Sequence, residues 1–145
     1  MIALLQRVSR ASVHVDGTEV AAIDGGLLVL VGVQPQDDEA RGRRLLERLL
    51  GYRVFADAQG RMNRSLRDTG GGLLLVPQFT LAADTASGSR ASFTTAAAPE
   101  QARRLFEHLV NEARAVHGRV GSGVFGADMR VALVNEGPVT FWLEA

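Results

Sequence analysis

A Gly-Pro pair near the C-terminus limits how the last part of this chain can join a β-sheet. Two apolar runs, Met129 to Val134 and Val139 to Leu143, are joined by Asn135-Glu136-Gly137-Pro138. Proline has no N–H for a sheet ladder, and the peptide bond before it is the one that is readily cis. Turn statistics favour a hairpin turn between two strands. The alternative is a rigid backbone segment whose free carbonyl groups bind a ligand.

Length and composition indicate one globular domain. The chain has 145 residues, of which 46% are hydrophobic and 22% are charged, and a chain of this size can bury a core without a metal or a disulfide. We therefore expect a single domain over residues 1–145. The longest uncharged apolar run, Leu27 to Val33, is too short to cross a bilayer, and the first residues lack the features of a signal peptide. These observations predict a cytoplasmic protein that has no membrane partner.

The charged residues balance, with sixteen basic against sixteen acidic side chains. A net charge of zero gives no long-range attraction for nucleic acid, so any such contact must be local. Every basic residue is arginine, whose planar fork suits phosphate. Arg61, Arg64 and Arg67 lie in one short segment, which is either a solvated face or a phosphate-contacting patch.

Hydrophobic periodicity predicts an α+β fold. Two segments have the three- and four-residue spacing of amphipathic helices, Asp38 to about Leu50 and Pro99 to about His117. Strands are predicted over Ile2 to Val8, Ser12 to Val15, Glu19 to Ile23, Leu27 to Val33, Tyr52 to Phe55 and Leu73 to Phe79, with a loop over Asp68 to Gly72. This order of elements predicts a largely antiparallel sheet that is covered by helices on one side.

Several common catalytic arrangements are missing from the sequence. There is no cysteine to act as a nucleophile or a metal ligand, and the three histidines, His14, His108 and His117, have no metal-ligand spacing. Gly70-Gly71-Gly72 lacks the Lys-Ser or Lys-Thr of a phosphate-binding loop, and no Gly-x-Ser-x-Gly elbow is present. We therefore expect neither a metal nor another cofactor.

A candidate site lies at the end of the apolar strand, at Val76-Pro77-Gln78-Phe79-Thr80-Leu81. Gln78, Phe79 and Thr80 emerge where a buried strand meets solvent. Backbone N–H groups at such a place can remain free to hold an oxyanion, and a hydroxyl group can lie near a substrate carbonyl. The alternative is a simple strand end at which the Thr80 hydroxyl bonds to its own loop.

Short motifs occur in a fixed order along nearly the whole chain. They are Gln6-Arg7-Val8 with Ala11-Ser12-Val13, Met62-Asn63 with Ser65-Leu66, Gln78-Phe79-Thr80-Leu81 with Ala83-Asp84-Thr85, Ser92-Phe93, Phe125-Gly126-Ala127-Asp128-Met129, and Val134-Asn135 with Gly137-Pro138-Val139-Thr140. Each string is common alone, but their joint order and spacing resemble the D-aminoacyl-tRNA deacylase family.

The resemblance implies both a fold and an activity. The fold is a single α+β domain with a largely antiparallel or mixed, barrel-like sheet that is covered by two main helices. The activity is that of a homodimeric, metal-independent esterase. Such an enzyme frees tRNA from D-amino acids, and from glycine that is wrongly attached to tRNA for alanine.

The resemblance also implies roles for individual residues. In that family the peptide matching Gly137-Pro138 is cis and enters the active site of the partner subunit. There its carbonyl groups meet the substrate amine and leave no room for an L side chain. The residue matching Arg7 holds this motif in place. The ester carbonyl lies at the segment matching Gln78-Phe79-Thr80, whose main-chain N–H groups stabilise the oxyanion, and we assign Thr80 to positioning rather than to nucleophilic attack.

One departure from the family pattern leaves two alternatives to a D-specific deacylase open. Pro77 stands where the family usually has serine, and a Pro-Gln pair is similar to a related animal-type tRNA deacylase that tolerates some L-aminoacyl-tRNA. The chain is therefore either D-specific or relaxed in specificity. A third possibility is a tRNA-binding module in which Pro77 has disabled catalysis. Arg7, Phe79-Thr80 and Val139-Thr140 follow the D-specific pattern.

Overall fold

Two long strands, the first and the last in the chain, pair along most of their length and organise the fold. The computed structural model describes residues 1–145. The strands are β1 Ile2–Val15, β2 Thr18–Ile23, β3 Gly26–Gly32, β4 Phe55–Ala56, β5 Met62–Arg64, β6 Gly72–Pro77, β7 Val120–Ser122 and β8 Arg130–Glu144. The helices are α1 Glu39–Gly51, α2 Leu66–Thr69 and α3 Pro99–Val116, and a 3-10 turn spans Phe79–Ala82.

The main sheet is mixed and curls towards closure. Its order is β2-β1-β3-β6-β7, with β8 on the other edge of β1. The pairs made by β1 are antiparallel, whereas β3 with β6 and β6 with β7 are parallel. A Cβ atom added at Gly72 would lie 2.7 Å from Ile23 Cβ, and one at Gly121 would lie 3.3 Å from Ala21 Cβ. Strand β2 thus closely approaches β6 and β7, so the predicted α+β, barrel-like fold is confirmed.

The central strands are apolar at nearly every position because both of their faces are buried. Leu27 and Leu73 belong to the larger core, which lies between the sheet and the helices. Leu28 and Leu74 point the other way, into a smaller core with Val8 and others inside the curled sheet. This alternation explains why the sequence reads as continuous hydrophobic runs.

Helices α1 and α3 cover the outer face of the sheet, as their periodicity predicts. The buried stripe of α1 is Leu45, Leu46, Leu49 and Leu50, and that of α3 includes Leu105, Phe106 and Leu109. Asp38 caps α1 by accepting a hydrogen bond from Arg41 N, and α3 begins at Pro99. No helix in the chain is both long and apolar enough to span a membrane.

The predicted C-terminal hairpin is wrong. Nearly all of both apolar runs belongs to β8, and β8 pairs with β1 on both sides of the Gly-Pro segment, from Ile2 opposite Glu144 to His14 opposite Arg130. Between the pairs Val8–Asn135 and Gln6–Thr140, the four residues 136–139 of β8 stand opposite the single residue Arg7. Proline is tolerated here because a bulge releases the chain from the ladder. The Gly-Pro pair is therefore the tip of a bulge on a strand.

The loop predicted over Asp68 to Gly72 is also partly wrong, because helix α2 ends only at Thr69. Ser65 and Asp68 form a reciprocal capping box, and Gly70 closes the helix in a left-handed conformation. The spacing Ser65-x-x-Asp68 is the sequence pattern that could have predicted the start of this helix. Hydrogen bonds from the Ser65 backbone N–H and then from its hydroxyl lower the pKa of the Asp68 carboxyl below its ordinary value.

Candidate active site

The side chain of Arg7 holds the bulge on β8 in place. Arg7 Nε donates a hydrogen bond to Glu136 O at 2.9 Å, and Arg7 Nη1 donates to Val54 O at 2.7 Å. The guanidinium thus connects the bulge to the segment before β4. Hydrogen bonds from a charged donor contribute about 1.5–3 kcal/mol each, and the arginine fork fixes their direction as well.

A second side chain braces the bulge from within. The amide of Asn135 accepts a hydrogen bond from Val139 N at 2.8 Å, and it donates to Thr140 Oγ1 at 2.9 Å and to Val139 O at 3.3 Å. Asn135 therefore closes the base of the bulge by joining its two ends. No role for Asn135 was predicted from the sequence. An asparagine beside a predicted turn was the signal, since this side chain often bonds to backbone a few residues away.

The tip of the bulge has no space for a side chain at its glycine. The Gly137-Pro138 peptide is cis, and Gly137 has φ +136°. A Cβ atom at Gly137 would lie 2.7 Å from Val139 Cγ2 and 3.2 Å from Arg7 Nη2. Glu136, Gly137 and Pro138 are all exposed. The bulge therefore presents backbone groups, held in one conformation, to the outside of the chain.

The second predicted site is a corner where β6 ends. Gln78 N donates to Val31 O at 2.8 Å, which ties the corner to β3. The Gln78 side chain donates from Nε2 to Thr80 Oγ1 at 2.6 Å. Phe79 and Thr80 begin the 3-10 turn, and no acceptor within that turn reaches their N–H groups. Of the three main-chain N–H groups predicted to stabilise an oxyanion, Gln78's is already used.

A cleft of about 440 Å³ opens beside this corner. Its walls come from the end of β6, the start of α3 and the segment before β8: Val76, Pro77, Gln78, Phe79, Ala97, Pro99, Ala102, Phe125, Gly126, Ala127, Met129 and Val131. Gln78 is the polar side chain among them, and none of them is ionisable. The cleft can hold an apolar or aromatic group, but its walls offer no general base.

Pro77, the departure from the family pattern, is accommodated by the sheet. The pairing of β6 with β7 ends at Leu75 opposite Ser122, before Pro77 is reached. The bond to β3 is made by Gln78 N and not by residue 77. Pro77 Cδ lies 3.2 Å from the position of a Cβ atom at Gly123. Its missing N–H therefore leaves no ladder bond unmade, and its ring lines the cleft and approaches Gly123.

The structure groups the predicted residues into two sets. Arg7 lies against Gly137-Pro138, and Gln78 lies against Phe79 and Thr80. Neither Gly137 nor Pro138 lines the cleft, and no hydrogen bond joins the bulge to the corner. Phe79 is 56% exposed and Phe93 is 48% exposed, with ring centroids 5.1 Å apart. The corner therefore carries apolar surface that the chain itself leaves uncovered.

Fold and site together define a class of protein: an α+β domain with a curled mixed sheet, an apolar cleft, free main-chain donors at its mouth and an outward backbone bulge. Comparison with known proteins makes the class specific. The family model described as D-Tyr-tRNA(Tyr) deacylase matches residues 4–144. The chain belongs to this family, and it is an enzyme that hydrolyses the ester bond of D-aminoacyl-tRNA.

Individual relatives agree with this assignment. The D-aminoacyl-tRNA deacylase of Thioalkalivibrio sulfidiphilus is 67% identical over 144 residues, which cover 99% of this chain and 97% of the relative. That of Stenotrophomonas maltophilia is 65% identical and covers 99% of each chain. A solved structure described as a c-Myc DNA unwinding element binding protein has a TM-score of 0.95 at 35% identity, covering 100% of this chain and 99% of the other.

Proposed function

We propose that the enzyme works as a homodimer in which the Gly137-Pro138 bulge of each subunit enters the cleft of its partner and selects substrates by chirality. One observation carries the proposal: the bulge is braced and exposed, and neither Gly137 nor Pro138 lines the cleft of its own chain. The cleft has apolar walls, and its one polar side chain, Gln78, is hydrogen-bonded to Thr80 Oγ1, so the walls offer no charged group to recognise a substrate amine. Each region therefore supplies what the other lacks, and only a second copy of the chain joins them.

The surface around the bulge supports dimerisation. Strand β8 pairs only with β1, so its other edge is open along fifteen residues. Leu133, Val134 and Trp142 of β8 are 37%, 42% and 50% exposed. A long open edge with exposed apolar side chains is a surface that proteins normally cover. A second subunit would bury this surface and carry the bulge with it.

The bulge would act as a steric filter made of backbone. Its carbonyl groups are acceptors for the ammonium group of an aminoacyl ester. With the amine fixed there, the α-hydrogen and the side chain have set directions, so an L side chain would point into the bulge while a D side chain would point away. Selection by exclusion is indifferent to the identity of a D side chain. Glycine has no side chain to exclude, so we expect glycyl esters to be accepted, including glycine attached to tRNA for alanine.

Hydrolysis would be supported by main-chain donors at the corner. Water attacks the ester carbonyl carbon, the carbon-to-ribose-oxygen bond breaks, and the ribose oxygen leaves with a proton from water. The N–H groups of Phe79 and Thr80 would stabilise the oxyanion, and one such donor contributes about a hundredfold or more in rate. Since the cleft has no ionisable side chain, the neighbouring ribose hydroxyl of the substrate is the nearest group able to relay a proton.

Thr80 would position substrate and not attack it. A threonine hydroxyl becomes a strong nucleophile when a base removes its proton. Here the hydroxyl instead accepts a hydrogen bond from the Gln78 amide at 2.6 Å, and that amide is not a base. The Gln78–Thr80 pair therefore stiffens the corner.

A relaxed specificity is the second candidate, and Pro77 is the observation that favours it. The proline ring replaces a hydroxyl and an N–H at the edge of the cleft, which leaves fewer polar groups to fix the substrate. A D-specific enzyme and a relaxed one differ only in how strictly L-esters are refused.

Parallel deacylation of D-Tyr-tRNA, L-Tyr-tRNA and Gly-tRNA tests the proposal. D-specific function predicts rapid loss of the first and third esters with the second intact. Erosion of L-Tyr-tRNA at a comparable rate would establish relaxed specificity. Bound tRNA with no turnover of any ester would show a module without catalysis.

A further inference from the structure

We propose that the groove between α3 and the segment 118–125 binds the phosphate backbone of the tRNA strand that leads away from the active-site cleft. This inference rests on the proposed function, because it takes the aminoacyl end to lie in that cleft. It specifies where the rest of the substrate runs on the protein surface.

Three neighbouring recesses form one path. The cleft of about 440 Å³ shares Phe125 with a recess of about 350 Å³ along α3. That recess shares Arg114 and Ser122 with a third recess of about 510 Å³, which lies between β2 and β7. These strands are the two ends of the five-strand order, so their facing edges are unpaired and expose backbone groups. A strand leaving the cleft therefore meets two adjoining recesses in succession.

Arginine side chains follow this path. Arg103 lies at its start, where the guanidinium carbon is 5.0 Å from the centroid of the Phe125 ring. Arg114 lines both further recesses, and Arg119 lines the last one. Arg114 and Arg119 are exposed, and neither guanidinium group forms an ion pair or a hydrogen bond within the chain. Because the net charge of the protein is zero, such a local row is the arrangement that nucleic-acid binding requires.

The spacing suits a polynucleotide. Arg103 and Arg114 lie on the same helix, α3, and eleven residues at 1.5 Å per residue separate them by about 16 Å. A stacked strand carries one phosphate per about 3.4 Å of its axis, so this distance spans up to about five phosphates. The two carboxylates on the path are Glu107, which is 3.9 Å from Arg103, and Asp24. Three guanidinium groups thus face two carboxylates, and phosphate contact is favoured where Arg114 and Arg119 stand unpaired.

The test compares a long and a short substrate of the same ester. The long one is D-Tyr-tRNA, and the short one is D-tyrosyl-adenosine, which ends before the groove begins. The double variant Arg114→Ala/Arg119→Ala should raise KM for D-Tyr-tRNA about tenfold, leave kcat unchanged, and leave both constants for D-tyrosyl-adenosine unchanged. The dependence of log KM on log salt should weaken by about 1.4, which is 0.7 for each phosphate contact on a single strand.

Matched controls separate the groove from a general loss of charge. Arg43 is equally exposed but lies on α1, so Arg43→Ala should leave KM for D-Tyr-tRNA within twofold. Glu107→Gln should lower that KM. An unchanged KM for tRNA in the double variant, an equal rise with D-tyrosyl-adenosine, or an equal effect of Arg43→Ala would overturn the inference while the proposed function stands. A wild-type protein that hydrolyses neither ester would overturn both.

Discussion

The bulge on β8 and the corner after β6 are built in opposite ways. The bulge departs from the sheet ladder. Two side chains hold it: Arg7, which is remote in sequence, and Asn135, which is next to the bulge. The corner stays on the ladder, because Gln78 N bonds to Val31 O, and it ends in free donors beside an apolar cleft. The bulge is exposed on the surface, whereas the corner borders a cleft. Under the proposed function, the two regions would be halves of one site, separated within a chain and joined between chains.

If the bulge is a backbone filter, Gly137→Ala should have the largest effect. The new methyl group would lie 2.7 Å from Val139 Cγ2 and 3.2 Å from Arg7 Nη2, so the tip must shift. We expect deacylation of D-Tyr-tRNA to fall about a hundredfold or more, since misplacement of about 1 Å is enough for such a loss. Single-turnover rates measure the effect. Gly60→Ala is the matched control, because it also sits at positive φ but in open space; an equal loss in both variants would point to folding.

Arg7→Lys should have the next largest effect. Lysine keeps the charge but cannot bond to Glu136 O and Val54 O in the fork that arginine forms. We expect a loss of about ten- to a hundredfold in kcat/KM for D-Tyr-tRNA, and faster hydrolysis of L-Tyr-tRNA as the filter loosens. Parallel assays of the two esters give the ratio. Unchanged rates for both esters would mean that Arg7 does not set the bulge.

Asn135 offers a finer test within the bulge. Asn135→Ala removes three hydrogen bonds, at about 1 kcal/mol each, and should lower kcat/KM for D-Tyr-tRNA about tenfold. Asn135→Asp keeps the acceptor for Val139 N and can accept from the Thr140 hydroxyl, so it should retain more activity than alanine does. Equal kinetic effects of the two substitutions would contradict the bracing role.

The corner should respond least to the loss of its hydroxyl group. Thr80→Ala removes the acceptor for Gln78 Nε2 but leaves the N–H groups of residues 79 and 80 in place. We expect a loss of about threefold to tenfold in kcat, within the usual range for one neutral hydrogen bond. Complete loss of deacylation with an intact fold and normal tRNA binding would refute the assignment of Thr80 to positioning.

The bulge also shows where sequence patterns stop being informative. Local periodicity was enough to predict α1 and α3, and the apolar runs of β3 and β6, because each of these depends on nearby residues and burial. The Gly-Pro segment reads as a turn from its neighbours alone. It becomes a bulge because both flanking runs pair with β1, more than a hundred residues earlier in the chain. Sequence separation hides such a pairing from local statistics.

The residues of the candidate site also fall into two groups: those that the local sequence predicts and those whose contacts depend on the fold. Gln78, Phe79 and Thr80 are adjacent in sequence, so a strand end with polar residues pointed to them directly. Arg7 was identified only through resemblance, and its contact with Val54 O had no signal in the sequence. Asn135 belongs to one of the motifs that carry the resemblance, but no role was predicted for it. Contacts that a side chain makes with distant backbone depend on the fold as a whole.

Mixing two inactive variants tests the cross-subunit site most directly. One variant is Gly137→Ala, with a defective bulge, and the other is Ala127→Trp, which fills the cleft that Ala127 lines. Each alone should be inactive on D-Tyr-tRNA. After joint refolding of equal amounts, half of the dimers are mixed, and each mixed dimer has one intact cleft facing one intact bulge. The account predicts recovery of about 25% of wild-type activity. No recovery from a mixture shown to contain mixed dimers would contradict it, because the bulge would then serve the cleft of its own chain.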